Sequence, residues 1–350
     1  MINDKGIIIQ NIYYMLTYAF QVLKQKNYEE IGTESFENIH NLFSAILSKG
    51  LAQQLKQGLY REYITEYNDL PTVRGKINLQ ATIKLKIQRK QLISCEFDEL
   101  SVNNYFNQII KSTVMFLIRE KTVSNKYKKE LKKEMFFFSE VDEIDITQIK
   151  WESLKFHKNN QNYKMLLNIC YFIIKGLLYS DEKGKYKVAS FLDEILMCKL
   201  YEKFILEYYR YHYKGIIHAN STQVKWDVDD GVIDFLPIMK TDIMLKKDDR
   251  TLIIDAKYYG HMMQTSQYNH TTIHSGNLYQ IFTYVKNYDT LGNGKVSGML
   301  LYAKTEETIA PNKDYNMKGN KISVRTLDLN LMFDNIRLQL DDIVKKEFNI

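Results

Sequence analysis

The stretch TDIMLKKDDRTLIIDAKYY, residues 241–259, constrains this chain more than any other. Two short apolar runs enclose the charged turn KKDDR, the pattern of two strands folding back on each other as antiparallel neighbours. Each run carries an acid where a core strand would stay apolar: Asp242 opens the first, Asp255 closes the second, and Lys257 follows two residues later. Residues i and i+2 of a strand share a face, so Asp255 and Lys257 project together while Ala256 points away. Asp242 converges on the same face if the pairing register allows it.

Three charges beside an apolar sheet are costly, because each desolvated ion loses several kcal/mol unless it is paired. Two carboxylates and one ammonium leave a negative charge over, which a divalent cation would use. Oxygen ligands without Cys or His favour Mg²⁺, with Mn²⁺ as the substitute, over zinc. Such a cation would polarise a phosphodiester and activate water, with Lys257 positioning that water or neutralising developing charge. The competing reading is an exposed strand-end ion pair between Asp255 and Lys257, with Asp242 capping a turn. In HSGNLYQIFTYVKNY (274–288), Gln280 lies four residues before Tyr284 on a helix face headed for the sheet, where a glutamine needs a partner.

At 350 residues two domains are expected, and 45% apolar with 26% charged residues is ordinary globular composition, which excludes extensive disorder. The net charge of +6 is compatible with a phosphate-rich partner. Cys95, Cys170 and Cys198 form no C-x-x-C pair, so neither a disulfide framework nor a zinc ribbon is expected. The start MINDKGIIIQNIYYML is unlike a secretory signal, and no run reaches the roughly 18 apolar residues of a membrane span. A cytoplasmic protein without a membrane partner is the expectation.

Ile9, Ile12, Tyr13, Leu16 and Phe20 keep helical spacing, and a second helix is expected over about 36–57. From Tyr60 to Phe97, YREYITEY and QLISCEF bracket a segment punctuated by Pro71 and Gly75, which predicts a hairpin-like β projection. Ser101 is expected to cap the next helix, and another helix covers 162–179. The polar SDEKGKYK (180–187) is the best boundary candidate. Beyond it the spacing predicts helix 189–213, strands near 222–228, 240–247 and 251–257, helix 277–288, strands 296–303 and 321–328, and helix 330–347. The fold class is therefore mixed α/β: a C-terminal sheet flanked by helices, after a mostly helical first half carrying the β insertion.

Asp242, Asp255-Ala256-Lys257 and the Gln280 to Tyr284 helix resemble the PD-(D/E)XK nucleases. A wider set is similar to the McrC family, the nuclease subunits of McrBC modified-cytosine restriction systems: NIYYMLTYAF (11–20), RGKI (74–77), NQIIKST (107–113), KWD (225–227), TDI (241–243), IIDAKYY (253–259) and HSGNLYQ (274–280). The resemblance implies a Mg²⁺-dependent endonuclease in which residues 1–180 bind and activate a hexameric AAA+ GTPase of the McrB type, and 187–350 cut double-stranded DNA bearing modified cytosine. It also implies that GTP is bound by the partner, that two complexes associate through this subunit, and that the β projection enters the ring's central pore. Asp242 and Asp255 would ligate the metal, with Lys257 and Gln280 completing the site. Thr241, not proline, precedes the first acid, with Pro237 further back.

An upstream helix acid often joins such sites, and LYEKFILEYY offers Glu202 and Glu207, of which at most one faces the site; Glu202 is favoured. His270 and His274 have i, i+4 spacing in a stretch that reads as loop, with His274 the candidate phosphate contact. The basic KLKIQRK (84–90), with Arg74 and Lys76, is a solvated face or a contact with partner or DNA. GNGK (292–295) lacks the Walker A spacing and reads as a hairpin turn. Two rival functions remain: a non-catalytic adaptor that only activates the ring, and an autonomous RecB-like repair nuclease.

Overall fold

The computed structural model describes residues 3–4, 7–20, 34, 36–157, 160–180, 186–188, 194–258, 263–265, 271–304 and 311–350. Strands β1 (Asn3–Asp4) and β2 (Ile7–Ile8) lead into α1 (Ile9–Phe20), and α2 (Ile39–Leu55) follows. Next come β3 (Glu62–Leu70), β4 (Lys76–Ile77), α3 (Leu79–Ile87), β5 (Ile93–Ser101), α4 (Tyr105–Arg119), α5 (Asn125–Met135) and α6 (Gln161–Leu177). A hairpin of β6 (Leu178–Ser180) and β7 (Tyr186–Val188) precedes α7 (Glu194–His212), β8 (His218–Asn220), β9 (Gln223–Val224), β10 (Met239–Lys240), β11 (Ile243–Lys247) and β12 (Arg250–Lys257). The chain continues through β13 (Met263–Thr265), β14 (Thr271–Ile273), α8 (Ser275–Tyr288), β15 (Val296–Lys304), β16 (Lys313–Met317), β17 (Asn320–Asp328) and α9 (Phe333–Phe348).

Two compact units result: residues 43–174, and residues 1–42 together with 175–350. The sequence reading placed the first helix with the segment that follows it; here it belongs with the C-terminal segment. Ile9, Ile12, Tyr13 and Leu16, the periodic positions of α1, are buried, and α1 packs on α7. Asn11 fixes it by donating to the carbonyls of Leu329 and Leu331 at 2.8 Å each, beyond the end of β17. The expected boundary at 180–187 is bracketed by the β6–β7 hairpin, and its residues 181–185 lie outside the described residues.

The larger unit is built on a six-stranded mixed sheet of order β16-β17-β15-β12-β11-β8. β12, β15 and β17 run parallel, while β11 and β8 on one side and β16 on the other run antiparallel to their neighbours. Central β12 is buried from Thr251 to Ala256, so both faces are covered, as its continuous apolar run requires. On one face Met244, Ile253, Leu300, Tyr302, Ile322 and Val324 form a core with Ile281, Tyr284 and Val285 of α8. The helix approaches closely because residue 298 of β15 is glycine. A Cβ there would lie 2.8 Å from Val285 Cγ2 and 2.9 Å from Ile281 Cγ1 and Ile322 Cδ1. Gly298→Ala is expected to cost about 1–3 kcal/mol through overpacking, read as a lower urea midpoint at unchanged m-value.

In the smaller unit, β3, β5 and β4 form an antiparallel sheet with α3 against it. The two bracketing strands pair antiparallel as the hairpin-like projection requires, and a helix stands between them: the alternation Ile83-Lys84-Leu85-Lys86-Ile87 imitates a strand, but Asn78 accepts from the Ala81 amide at 3.1 Å and starts a helix. Gly75 holds a left-handed φ of 69°, and a Cβ there would strike the Glu96 carbonyl. Ser101 ends β5 instead of capping α4. Asn104 is the cap, its Oδ1 accepting from the Asn107 amide at 3.2 Å while its Nδ2 donates to Tyr60 O. No helix among the described residues is long and apolar enough to cross a membrane.

Candidate active site

The β11–β12 register pairs Ile243 with Ile254, and one further step sets Asp242 opposite Asp255. Directly opposed residues of an antiparallel pair point to the same side, which is the convergence the sequence left conditional. The Ala256 amide donates to Asp242 Oδ2 at 3.0 Å, fixing the first acid just outside β11. Asp255 is 1% exposed, and neither of its carboxylate oxygens accepts a directed hydrogen bond. The Lys257 ammonium lies 2.9 Å from Asp255 Oδ2, as an ion pair and not along a hydrogen-bonding direction. It also donates to Gln280 Oε1 at 3.1 Å, and Gln280 Nε2 donates to the Tyr284 hydroxyl at 2.9 Å. The structure therefore brings together Asp242, Asp255, Lys257 and Gln280, with Tyr284 orienting the amide.

Burial dominates the electrostatics. It pushes the Asp255 carboxyl up to about 7, against the pull of Lys257 and with a further rise from the Asp242 carboxylate. It also raises Asp242, opposed by Lys257 and the Ala256 amide. Glu202 on α7 is raised to about 7, by burial first and by Asp242 second, with Lys257 opposing. Glu202 thus shares the field of the acid pair, whereas Glu207 is engaged by Arg210 at 2.7 Å.

Thr241, the residue before the first acid, has a structural role that its sequence position does not announce. It is buried; its hydroxyl donates to Thr222 O at 3.1 Å, and Ser221 Oγ donates to its carbonyl at 2.7 Å. These bonds pin the backbone immediately before Asp242 to the β8–β9 turn. The readable signal was the run of hydroxyls Ser221-Thr222. Asn277, also missed, donates to the buried Tyr302 hydroxyl at 3.0 Å and ties the first turn of α8 to β15.

Of the other candidates, His274 sits at the N-cap of α8, and His270 lies outside the described residues. Arg74 pairs with Glu99 at 3.4 Å and covers the Phe97 ring, and Lys76 lies 3.9 Å from Glu96. GNGK joins α8 to β15, Asp289 accepting from the Asn293 and Gly294 amides, so it is a helix-to-strand turn and not a hairpin.

Among the described residues no group of three or more His, Cys, Asp and Glu side chains is arranged to hold a metal ion. Two carboxylates remain, Asp242 and the buried Asp255, with one ammonium to offset them, so one buried negative charge is left over at a cost of several kcal/mol unless something compensates. That set fits Mg²⁺, which takes one or two carboxylates and keeps waters or phosphate oxygens for the rest.

The profile of the McrBC 5-methylcytosine restriction system component family matches residues 4–303. The type IV methyl-directed restriction enzyme EcoKMcrBC of Escherichia coli (strain K12) is 29% identical over 347 residues, 96% of this chain and 97% of that protein. A refined half-complex from a tetradecameric assembly of Thermococcus gammatolerans McrB AAA+ hexamers with bound McrC contains a chain of the same fold. The likeness has a TM-score of 0.55 over 96% of this chain and 76% of that one, at 18% identity. The family match runs through both acids, the lysine and helix α8, and the chain belongs to the McrBC 5-methylcytosine restriction system component family.

Proposed function

We propose that this chain is the DNA-cleaving subunit of a GTP-dependent restriction complex and that it also activates the GTPase ring of that complex. The observation carrying the nuclease half is Asp255, a carboxylate buried beside a second acid with a single ammonium, Lys257, between the two negative charges and the helix. Asp242 and Asp255 would hold Mg²⁺, which supplies Lewis-acid polarisation of the scissile phosphate. The Lys257 ammonium, held by Gln280, stands ready to orient an attacking water or to neutralise charge that develops on the phosphate. Gln280 keeps Lys257 aimed because Tyr284 fixes its amide.

The activating half is supported by the projection. Leu79, Ile83 and Ile87 of α3 are 69%, 58% and 77% exposed at i, i+4, i+8 spacing, a stripe that suits a partner surface. Tyr63 and Tyr67 of β3, with Leu100 opposite Tyr63 on β5, make a second exposed apolar face. An McrB-type hexameric AAA+ ring, which would bind the GTP, is the partner this reading names, and pairing of two complexes through this subunit would bring two sites to the two DNA strands.

A plasmid bearing modified cytosine, incubated with the chain in the presence or absence of the ring, GTP and Mg²⁺, tests the proposal. Linear product requiring all three is expected. Digestion of free ends without ring or GTP would replace it with an autonomous nuclease. Ring stimulation without any cutting would reduce the chain to an adaptor.

A further inference from the structure

Helix α5 reads NKYKKELKKEM. Tyr127, Leu131 and Glu134 are its buried positions, and Phe138 continues the stripe just beyond it. That stripe is the helix's inward face. The rest of the circumference is mostly lysine: Lys126, Lys129, Lys132 and Lys133 are exposed and Lys128 is half-buried. Lys128, Lys129, Lys132 and Lys133 form no salt bridge among the described residues. The helix's own acids offset little, Glu130 being half-buried and Glu134 buried, with burial raising the Glu134 carboxyl.

Like charges at i, i+3 and i, i+4, as in Lys129–Lys132, Lys128–Lys132 and Lys129–Lys133, repel and lower helix stability. A polyanion would relieve that repulsion. Lys126 to Lys133 spans about 10 Å of helix axis, a length over which duplex DNA presents about six phosphate charges. A lipid surface suits the helix itself poorly, because its own stripe of Tyr127 and Leu131 is already buried in the protein. Lysines offer point charges instead of the planar forks that read base edges, which favours contact with phosphates irrespective of sequence.

We propose that α5 is a sequence-independent grip on the phosphate backbone of duplex DNA, on a different compact unit from the acid pair. It rests on the nuclease reading only for the presence of DNA as substrate. The test is binding of the full chain to an unmodified fluorescent duplex in EDTA, across a salt titration, for wild type and the quadruple Lys→Gln variant at 128, 129, 132 and 133. A quadruple Lys→Arg variant and a thermal melt control for folding. The Gln variant is expected to lose about 3–4 from the slope of log K against log salt, so that wild-type affinity falls about 10²-fold more than the variant's between roughly 50 and 200 mM. The Arg variant should keep the wild-type slope.

Equal slopes for wild type and the Gln variant would overturn the proposal. So would loss of binding to anionic phospholipid vesicles in the Gln variant with duplex binding unchanged. A wild type that grips DNA through these lysines yet never cuts with Mg²⁺ would support this inference while refuting the nuclease reading.

Discussion

Asp255→Asn is expected to abolish Mg²⁺-dependent cleavage, by about 10³-fold or more, and at the same time to stabilise the metal-free protein. The two effects share one cause. Asp255 is held at about 7 in the folded chain against an ordinary value of 3.8, because its carboxylate is buried and faces Asp242. The folded state therefore keeps a proton that the unfolded state has released between about pH 4 and pH 7. Stability falls as pH rises through that window and is lowest above it. Asparagine carries no charge, and its amide can accept from the Lys257 ammonium while donating to Asp242. The variant should be more stable than wild type at pH 8 by about 1–3 kcal/mol, and the difference should shrink toward pH 4. Mg²⁺ should raise the Tm of wild type and leave that of the variant unmoved. Stimulation of the ring GTPase should be intact. Destabilisation at pH 8 would mean that Asp255 and Lys257 are a structural ion pair, the competing reading of the sequence.

Leu79→Asp, Ile83→Asp and Ile87→Asp, combined, are expected to do the reverse. They should abolish ring stimulation, with at least about 10²-fold weaker ring binding, since exposed apolar anchors at an interface are worth about 1–2 kcal/mol or more each. The three side chains are exposed, so stability should change little, and the Mg²⁺-induced rise in Tm should survive. Titrating the variant against the ring while following GTP hydrolysis gives the readout. Wild-type stimulation would remove the projection from the partner interface.

The site was legible because the chemistry of a strand is local. A period of two places Asp255 and Lys257 together, and an unbalanced charge beside an apolar run has few uses. The antiparallel turn then brings Asp242 in, and hydroxyl bonds between Thr241 and the Ser221-Thr222 turn hold the backbone just before it. Long apolar elements were equally readable: β12, β15 and β17 bury most of their length.

What escaped was decided by few residues or by distant ones. Helix α3 alternates like a strand and is set by one Asn78 cap. Helix α5 buries only three of its residues, too thin a stripe for periodicity to register. β16 is an edge strand exposed along most of its length, so no alternating apolar face announces it. The grouping of α1 with the C-terminal segment depends on contacts with α7 and with the chain after β17, remote in sequence and invisible from α1 itself.

Calorimetric titration of the full chain with Mn²⁺ at pH 8, for wild type, Asp242→Asn and Asp255→Asn, bears most directly on whether the acid pair holds a divalent cation. Saturable Mn²⁺ binding by wild type, lost in both variants, is the predicted result. Binding that survives both substitutions unchanged, or no binding by wild type, would contradict it.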